Sequence, residues 1–108
     1  MNAWLLLAVA IVLEVGGTVC MKLSQGMTRW LPVAGVVGFY AASFVLVSVA
    51  MKSLEVGTAY AVWSGVGTAL VTVVGVVLLG ESIAWQKVAG IVCICAGVAL
   101  LKFASPAD

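Results

Sequence analysis

The chain has 108 residues, of which 65% are hydrophobic and 8% are charged, and its formal net charge is +1. Soluble domains carry roughly 25% charged residues, so this chain cannot cover a surface that faces water and must have lipid as its solvent. The length allows at most one domain, over residues 1–108. No basic or acidic block occurs, so we expect no nucleic acid partner.

Three cysteines and no histidine make a metal site improbable. Cys93 and Cys95 are one residue apart in a helical span and point to different faces, and Cys20 lies in another span. We expect all three to be apolar packing residues without a disulfide framework. The sequence has no nucleophile–base pair and no phosphate-binding glycine loop, so we expect no cofactor and no enzymatic activity.

Four apolar stretches are long enough to cross a bilayer core, which takes about 20 helical residues. The short polar or helix-breaking segments between them force neighbouring helices to run antiparallel. The first stretch lacks a basic start and a small-residue cleavage site, so we expect a permanent span and not a signal peptide. The sequence predicts an all-α membrane protein with four transmembrane helices, at about residues 3–22, 31–51, 58–79 and 86–103.

The basic residues are divided almost evenly between the two membrane faces, and this division sets the orientation of a membrane protein. One face receives Lys22, Arg29 and Lys87, and the other receives Lys52 and Lys102. Two hypotheses follow. Either a weak preference is resolved by context, or the chain inserts in both orientations so that inverted copies can pair.

Glu14 is the charged residue that falls in the middle of a predicted span. An ionisable group at the bilayer centre costs on the order of 2.5–3.5 kcal/mol, and such residues usually face a bundle interior or a watery cavity. Burial disfavours the bare charge, so a proton or a hydrophobic cation must neutralise it, and each excludes the other. This competition predicts proton/cation antiport if the site faces each side in turn. The alternative is a protonated glutamate that only bonds a neighbouring helix.

The helical neighbours of Glu14 include Ala10, Gly17 and Thr18, which share its face. Gly17 is expected to clear space beside the carboxylate, and Thr18 offers a hydroxyl. The same small residues also suit plain packing between helices.

Aromatic residues in the second and third spans are candidates for binding a cation, at roughly 0.5–2 kcal/mol each. Tyr60 and Trp63 are three residues apart and share a helix face, and Trp63 lies too deep in its span to anchor at the headgroups. Tyr40 and Phe44 pair in the same way at a spacing of four. A tyrosine hydroxyl at position 60 could also bond Glu14. The alternative for these side chains is core filling or contact with lipid.

Glycines mark two further features. Gly65 and Gly67 interrupt the third span and are candidates for a hinge, with close packing as the alternative. Because four helices are few for a closed pathway, we expect a dimer. The small-residue stripe of the fourth span is the candidate contact between subunits, and it comprises Gly90, Ile94, Gly97 and Leu101.

These segments, in this order and spacing, resemble the small multidrug resistance family over residues 3–103. The matching segments are Glu14-Val15-Gly16-Gly17-Thr18 with Lys22, Gly26-Met27-Thr28-Arg29, Gly57-Thr58-Ala59-Tyr60-Ala61-Val62-Trp63-Ser64-Gly65-Val66-Gly67, and Cys95-Ala96-Gly97-Val98.

The resemblance implies a bacterial inner-membrane exporter that works as an antiparallel homodimer of dual topology. It also implies exchange of protons for organic cations at Glu14. By the same resemblance, Tyr40, Tyr60 and Trp63 line the substrate chamber, and the fourth helix carries the dimer contact.

Features of two subtypes of the family are present. Gly17-Thr18, Ser64 and Phe44 favour exporters of quaternary ammonium compounds, as does the absence of a tryptophan beside Glu14. Gly57-Thr58-Ala59, Gly80-Glu81-Ser82 and Lys102 resemble the guanidinium exporters. We favour the first subtype. Heteromeric members with orientation-locked partners also exist.

Two other classes remain as alternatives: a non-transporting accessory subunit, and a lipid or polyamine flippase. The clustered aromatics around Glu14 disfavour the accessory subunit, and the sequence shows no second buried charge for a flippase. Lys22 is expected to extend from its span end to the membrane surface, and Glu55 and Glu81 are expected to be solvated loop charges.

Overall fold

The computed structural model describes residues 2–104 and contains four α-helices. The helices are α1 (Ala3–Leu23), α2 (Trp30–Ala50), α3 (Val56–Leu78) and α4 (Trp85–Ala104). Each is long and apolar enough to cross a membrane, which confirms the predicted four-helix membrane fold. No strand occurs within residues 2–104. The predicted single domain over 1–108 also includes Met1 and residues 105–108, which lie outside the described residues.

Local hydrogen bonds and glycine define the helix ends. Asn2 caps α1, because its side-chain oxygen accepts a bond from the Trp4 N–H at 2.7 Å. In the first loop the Ser24 hydroxyl accepts the Met27 N–H at 2.9 Å, and Gly26 has a left-handed φ of 74°. Gly80, with a φ of 71°, turns the chain just after α3. These tight connections reverse the chain at each step, so α1 and α3 run in the same direction.

Helix α1 is the centre of the bundle. It packs most extensively against α2 and next against α3, while the backbone of α4 approaches only α3. The buried cluster is built from apolar side chains of α1, α2, α3 and the second loop, namely Leu7, Ala10, Ile11, Val15, Val47, Ala50, Leu54, Ala59 and Val62.

Close contacts lock α1 to α2. The buried Ser43 hydroxyl donates to the Ala10 carbonyl oxygen at 2.8 Å. A side chain at Gly17 would place its Cβ 2.6 Å from the ring of Tyr40, and one at Gly35 would lie 2.7 Å from the sulfur of Cys20. Glycine at these two positions therefore lets a ring and a thiol pack directly on the opposing backbone.

The two proposed hinge glycines lie in an unbroken helix, since α3 continues from Val56 to Leu78. At Gly65 an added Cβ would lie 2.8 Å from a methyl group of Val98 on α4. At Gly67 it would lie 2.8 Å from the Glu14 carboxylate. Both glycines serve close approach in this conformation, which was the alternative interpretation, and a hinge role stays a prediction.

No residue of α4 is buried within the described chain. In the predicted dimer stripe, Gly90 and Gly97 have open space beside them, and Leu101 is exposed. Ile94 differs, because its methyl group lies 3.0 Å from the Cβ position of Gly65 and it is half-buried against α3. The structure therefore places Ile94 in contact with its own chain.

Candidate functional site

The Glu14 side chain lies between α1 and α3 and takes part in a short chain of hydrogen bonds. The Thr18 hydroxyl shares its single proton between the Oε1 atom of Glu14 at 3.1 Å and the Glu14 backbone carbonyl oxygen at 3.0 Å. The Thr18 oxygen lies 2.7 Å from the hydroxyl oxygen of Tyr40. Since threonine has a single hydroxyl proton and directs it towards Glu14, Tyr40 is the donor to Thr18. The bond that Tyr60 could have made to Glu14 is absent among the described residues, and the Tyr40 hydroxyl contacts Thr18 instead.

The second carboxylate oxygen, Oε2, is buried and has no hydrogen-bond partner among the described residues. It points at the backbone of Gly67, where the missing side chain leaves room for it. Buried polar atoms are rarely left unpaired, and those that are call for an explanation. One carboxylate oxygen thus contacts the Thr18 hydroxyl, and the other has no protein partner within residues 2–104.

A cleft of about 370 Å³ opens beside Glu14 between α1 and α3. Binding sites for drug-sized molecules have volumes of roughly 300–1,000 Å³. The walls of the cleft combine the carboxylate with aromatic, hydroxyl and aliphatic groups, contributed by Glu14, Thr18, Tyr60, Trp63, Ser64, Gly67, Thr68, Val71 and Thr72.

Three hydroxyls follow one face of α3 along this cleft. Ser64, Thr68 and Thr72 each donate to the carbonyl oxygen four residues earlier, at 2.8, 2.7 and 2.8 Å. Their protons are directed to the backbone, so their oxygens offer lone pairs to the cleft. Thr68 and Thr72 line the cleft but were not among the predicted site residues, although the repeat of hydroxyl residues every four positions from Ser64 indicates them.

The aromatic candidates form a continuous chain across α2 and α3. Tyr40 stacks on Phe44 with 6.1 Å between ring centroids, and Phe44 meets Trp63 edge-on at 5.5 Å. Trp63 also contacts Tyr60 at 5.9 Å. Trp63 therefore borders both the Glu14 cleft and a second hollow of about 380 Å³ beside Phe44. This position accounts for a tryptophan so deep in a span.

The structure divides the predicted chamber residues into two groups. Glu14, Thr18, Tyr60 and Trp63 line the cleft, and Tyr40 and Phe44 adjoin them. Ala10 and Gly17 are buried in the interface between α1 and α2 and do not line the cleft.

Gly17 affects the site indirectly. Its missing side chain allows the ring of Tyr40 to cross α1, and this crossing brings the tyrosine hydroxyl to Thr18.

Comparison with known proteins agrees with this architecture. A family model described as Small Multidrug Resistance protein matches residues 2–94. The chain belongs to the small multidrug resistance family. It is accordingly a multi-pass transport protein of the bacterial inner membrane and not an enzyme.

Several relatives align over nearly the whole chain. The multidrug resistance protein EbrB of Bacillus subtilis is 45% identical over 94% of this chain and 87% of its own length. The guanidinium exporter of Yersinia pseudotuberculosis is 43% identical over 95% of this chain and 99% of its own. The multidrug transporter EmrE of Escherichia coli is 38% identical over 97% and 96%.

Proposed function

We propose that this chain exports hydrophobic and quaternary ammonium cations in exchange for protons, and that Glu14 is the site both ligands share. The observation that carries the proposal is the buried, unpartnered Oε2 atom at the edge of an aromatic-lined cleft. Cation binding displaces the carboxyl proton, and protonation releases the cation. Because one carboxylate cannot hold both, the two fluxes are coupled.

The surroundings of Glu14 suit an organic cation that carries apolar groups. Trp63 and Tyr60 present aromatic surface beside the carboxylate, and such surface attracts cations. The hydroxyl oxygens of Ser64 and Thr68 add weak acceptors along one wall. A charged centre can therefore lie at Glu14 while its substituents contact rings.

The volume of the cleft favours bulky cations over guanidinium. A space of about 370 Å³ accepts a drug-sized ligand, and Gly67 places no side chain between α3 and Glu14. Relatives named multidrug resistance protein and guanidinium exporter have nearly equal identity to this chain, 45% and 43%. Guanidinium export is therefore the second candidate.

We further propose an antiparallel homodimer as the working unit. The cleft is open at its side, where Phe44 and Tyr60 remain 56% and 58% exposed. Helix α4 buries no residue within the described chain, and its Gly90 and Gly97 offer a smooth surface for close approach. The nearly even distribution of basic residues over the two faces is compatible with insertion in both orientations.

Transport in proteoliposomes tests the proposal. Uptake of benzyltrimethylammonium and of guanidinium, each driven by a proton gradient, is measured for wild type, Glu14→Gln and the loop control Glu55→Gln. Glutamine keeps an oxygen for Thr18 but cannot exchange a proton, so the fold should survive. Glu55 is exposed outside the cleft, so its variant should match wild type.

The expected result is benzyltrimethylammonium uptake that is lost in Glu14→Gln, by about 100-fold or more as for other essential proton-transfer groups. Guanidinium uptake alone would assign the chain to the other subtype. Coupled uptake that persists in Glu14→Gln would refute the shared-site mechanism. Folded protein without any proton-coupled uptake would favour an accessory subunit or a heteromeric partner.

A further inference from the structure

A second carboxylate, that of Glu81, lies against a glycine of α3. This glycine is Gly75, about two helical turns after the Gly67 that contacts Glu14. Glu81, in the loop after α3, folds back so that its N–H bonds the Gly75 carbonyl oxygen at 3.0 Å. A Cβ added at Gly75 would lie only 2.8 Å from the carboxylate carbon of Glu81. Glu81 is exposed, as expected of a loop charge, but its side chain lies against the helix and does not extend freely into solvent.

Gly67 and Gly75 of α3 have the same spacing along the chain as Glu14 and Lys22 of α1. Glu14, Thr18 and Lys22 follow one another at intervals of four, and so do Gly67, Val71 and Gly75. Since α1 and α3 run in the same direction, Gly67 lies at the level of Glu14 and Gly75 at the level of Lys22. Eight residues of helix separate the two levels by about 12 Å.

A small cavity connects these levels. It has a volume of about 180 Å³, and both Lys22 and Glu81 lie in its walls. Thr18 and Val71 line both this cavity and the Glu14 cleft, so the two spaces are adjacent. The cavity lies at the membrane-surface end of the seam between α1 and α3. Its position suits a mouth between the Glu14 cleft and that surface.

The charges at this mouth oppose each other in their effect on a cation. The ammonium group of Lys22 repels an incoming cation, and a charge at the opening of a low-dielectric cleft changes association rates strongly. The carboxylate of Glu81, which lines the same cavity, attracts a cation and so opposes this repulsion.

We propose that Glu81, seated against Gly75, neutralises Lys22 at this mouth and thereby sets the rate at which cations reach Glu14. Glu81 is a positioning and specificity-determining residue in this scheme, and it does not bind the transported ion at the central site. The inference rests on the proposed function, because it concerns access to Glu14.

Uptake of benzyltrimethylammonium into phosphatidylcholine vesicles tests the inference, measured as kcat/KM at low and high salt. Neutral lipid is used so that anionic headgroups cannot take the place of Glu81. Glu81→Gln should lower kcat/KM roughly three- to tenfold at low salt, and high salt should remove most of the difference. The double variant Lys22→Gln/Glu81→Gln should regain the wild-type value, because it removes both charges.

Gly75→Ala tests the same inference independently, because it moves the Glu81 carboxylate without changing any charge. The added methyl meets the flexible end of Glu81, so the carboxylate should move away while the helix persists, and alanine favours helix. This variant should reproduce the loss seen in Glu81→Gln and add nothing when combined with it. Gly38→Ala is the matched control, since Gly38 lies within α2 and has no atom near its Cβ position.

These measurements distinguish failure of the proposed function from failure of the inference about Glu81. If wild type shows no uptake that depends on Glu14, the proposed function is wrong. If wild type transports and Glu14→Gln does not, but Glu81→Gln and Gly75→Ala equal wild type at low salt, the inference is overturned while the function stands. A loss in Glu81→Gln that Lys22→Gln fails to relieve would also overturn it.

Discussion

Helix α1 packs against α2 on one side and α3 on the other, and glycines make room for side chains on both sides. The side chains that occupy this room differ between the two. Against α2, glycines make room for a tyrosine ring and a thiol, as in the pairs Gly17–Tyr40 and Gly35–Cys20. Towards α3, Gly67 makes room for the Glu14 carboxylate of α1, and Gly75 makes room for the carboxylate of Glu81 from the loop after α3. The first surface is closely packed and the second borders two cavities.

This difference predicts that stability and transport depend on different faces of one helix. Apolar burial and the bond from Ser43 to Ala10 join α1 to α2, so changes there should affect folding first. The α3 side holds open volume and a carboxylate oxygen that has no partner within residues 2–104, so changes there should affect binding first. Matched glycine substitutions on the two surfaces can test this division.

Gly67→Ala should have the largest effect of these variants on transport. Its methyl would lie 2.8 Å from Glu14 Oε2 and must displace the carboxylate. Because misplacing a reactive group by a fraction of an ångström is costly, we expect proton-coupled uptake to fall about tenfold. The fold should remain, since the displaced atom ends a side chain. Uptake equal to that of the Gly38→Ala control would show that Gly67 does not position Glu14.

Gly17→Ala should lower the stability of the fold more than it lowers transport. Its methyl would lie 2.6 Å from the Tyr40 ring, which is confined between helices. Overpacking of this kind should lower the free energy of unfolding by about 1–3 kcal/mol. Denaturation in detergent measures this effect, with Gly67→Ala as the partner variant. Equal stability of both variants would contradict the division between the two surfaces.

Trp63→Leu should weaken cation binding on the α3 side. Loss of one aromatic face beside Glu14 should raise the Kd for benzyltrimethylammonium roughly two- to thirtyfold, according to how dry the site is. Equilibrium binding measures the change. Trp30→Leu is the control, because Trp30 is 77% exposed at the start of α2. A similar change in both variants would remove the specific role of Trp63.

Tyr40→Phe should have the smallest effect. It removes the hydroxyl 2.7 Å from Thr18 and keeps the ring that fills the space at Gly17. The Kd for the cation should rise roughly two- to fivefold, the usual scale of one hydrogen bond. Tyr60→Phe is the control, since Tyr60 makes no bond to Glu14 within the described chain. If Tyr60→Phe has the greater effect, the path through Thr18 is not the one that orients Glu14.

Composition and span length were sufficient to predict the four membrane helices, and a charge at mid-span was sufficient to select Glu14. The spacing of Tyr60 and Trp63 correctly placed both on one face. These features depend on single helices, whose geometry is fixed by a period of about 3.6 residues.

Features that depend on how helices pack were not accessible in the same way. Thr18 and Gly17 lie about 100° apart around α1, so Gly17 turns towards α2 although it is near Glu14 in sequence. The pairing of Gly67 with Glu14 requires the parallel alignment of α1 and α3, and that of Gly75 with Glu81 requires the loop after α3 to fold back on its own helix. Ile94 contacts Gly65 for the same kind of reason, because the helix period does not say which neighbour a face meets.

Proton release on cation binding is the most direct test of the shared site. Purified protein in weakly buffered detergent solution, at a pH where the carboxyl is protonated, is mixed with saturating benzyltrimethylammonium while the pH is recorded. We expect wild type to release protons as it binds the cation and Glu14→Gln to release none. Cation binding to wild type without proton release, or undiminished release from Glu14→Gln, would contradict competition at Glu14.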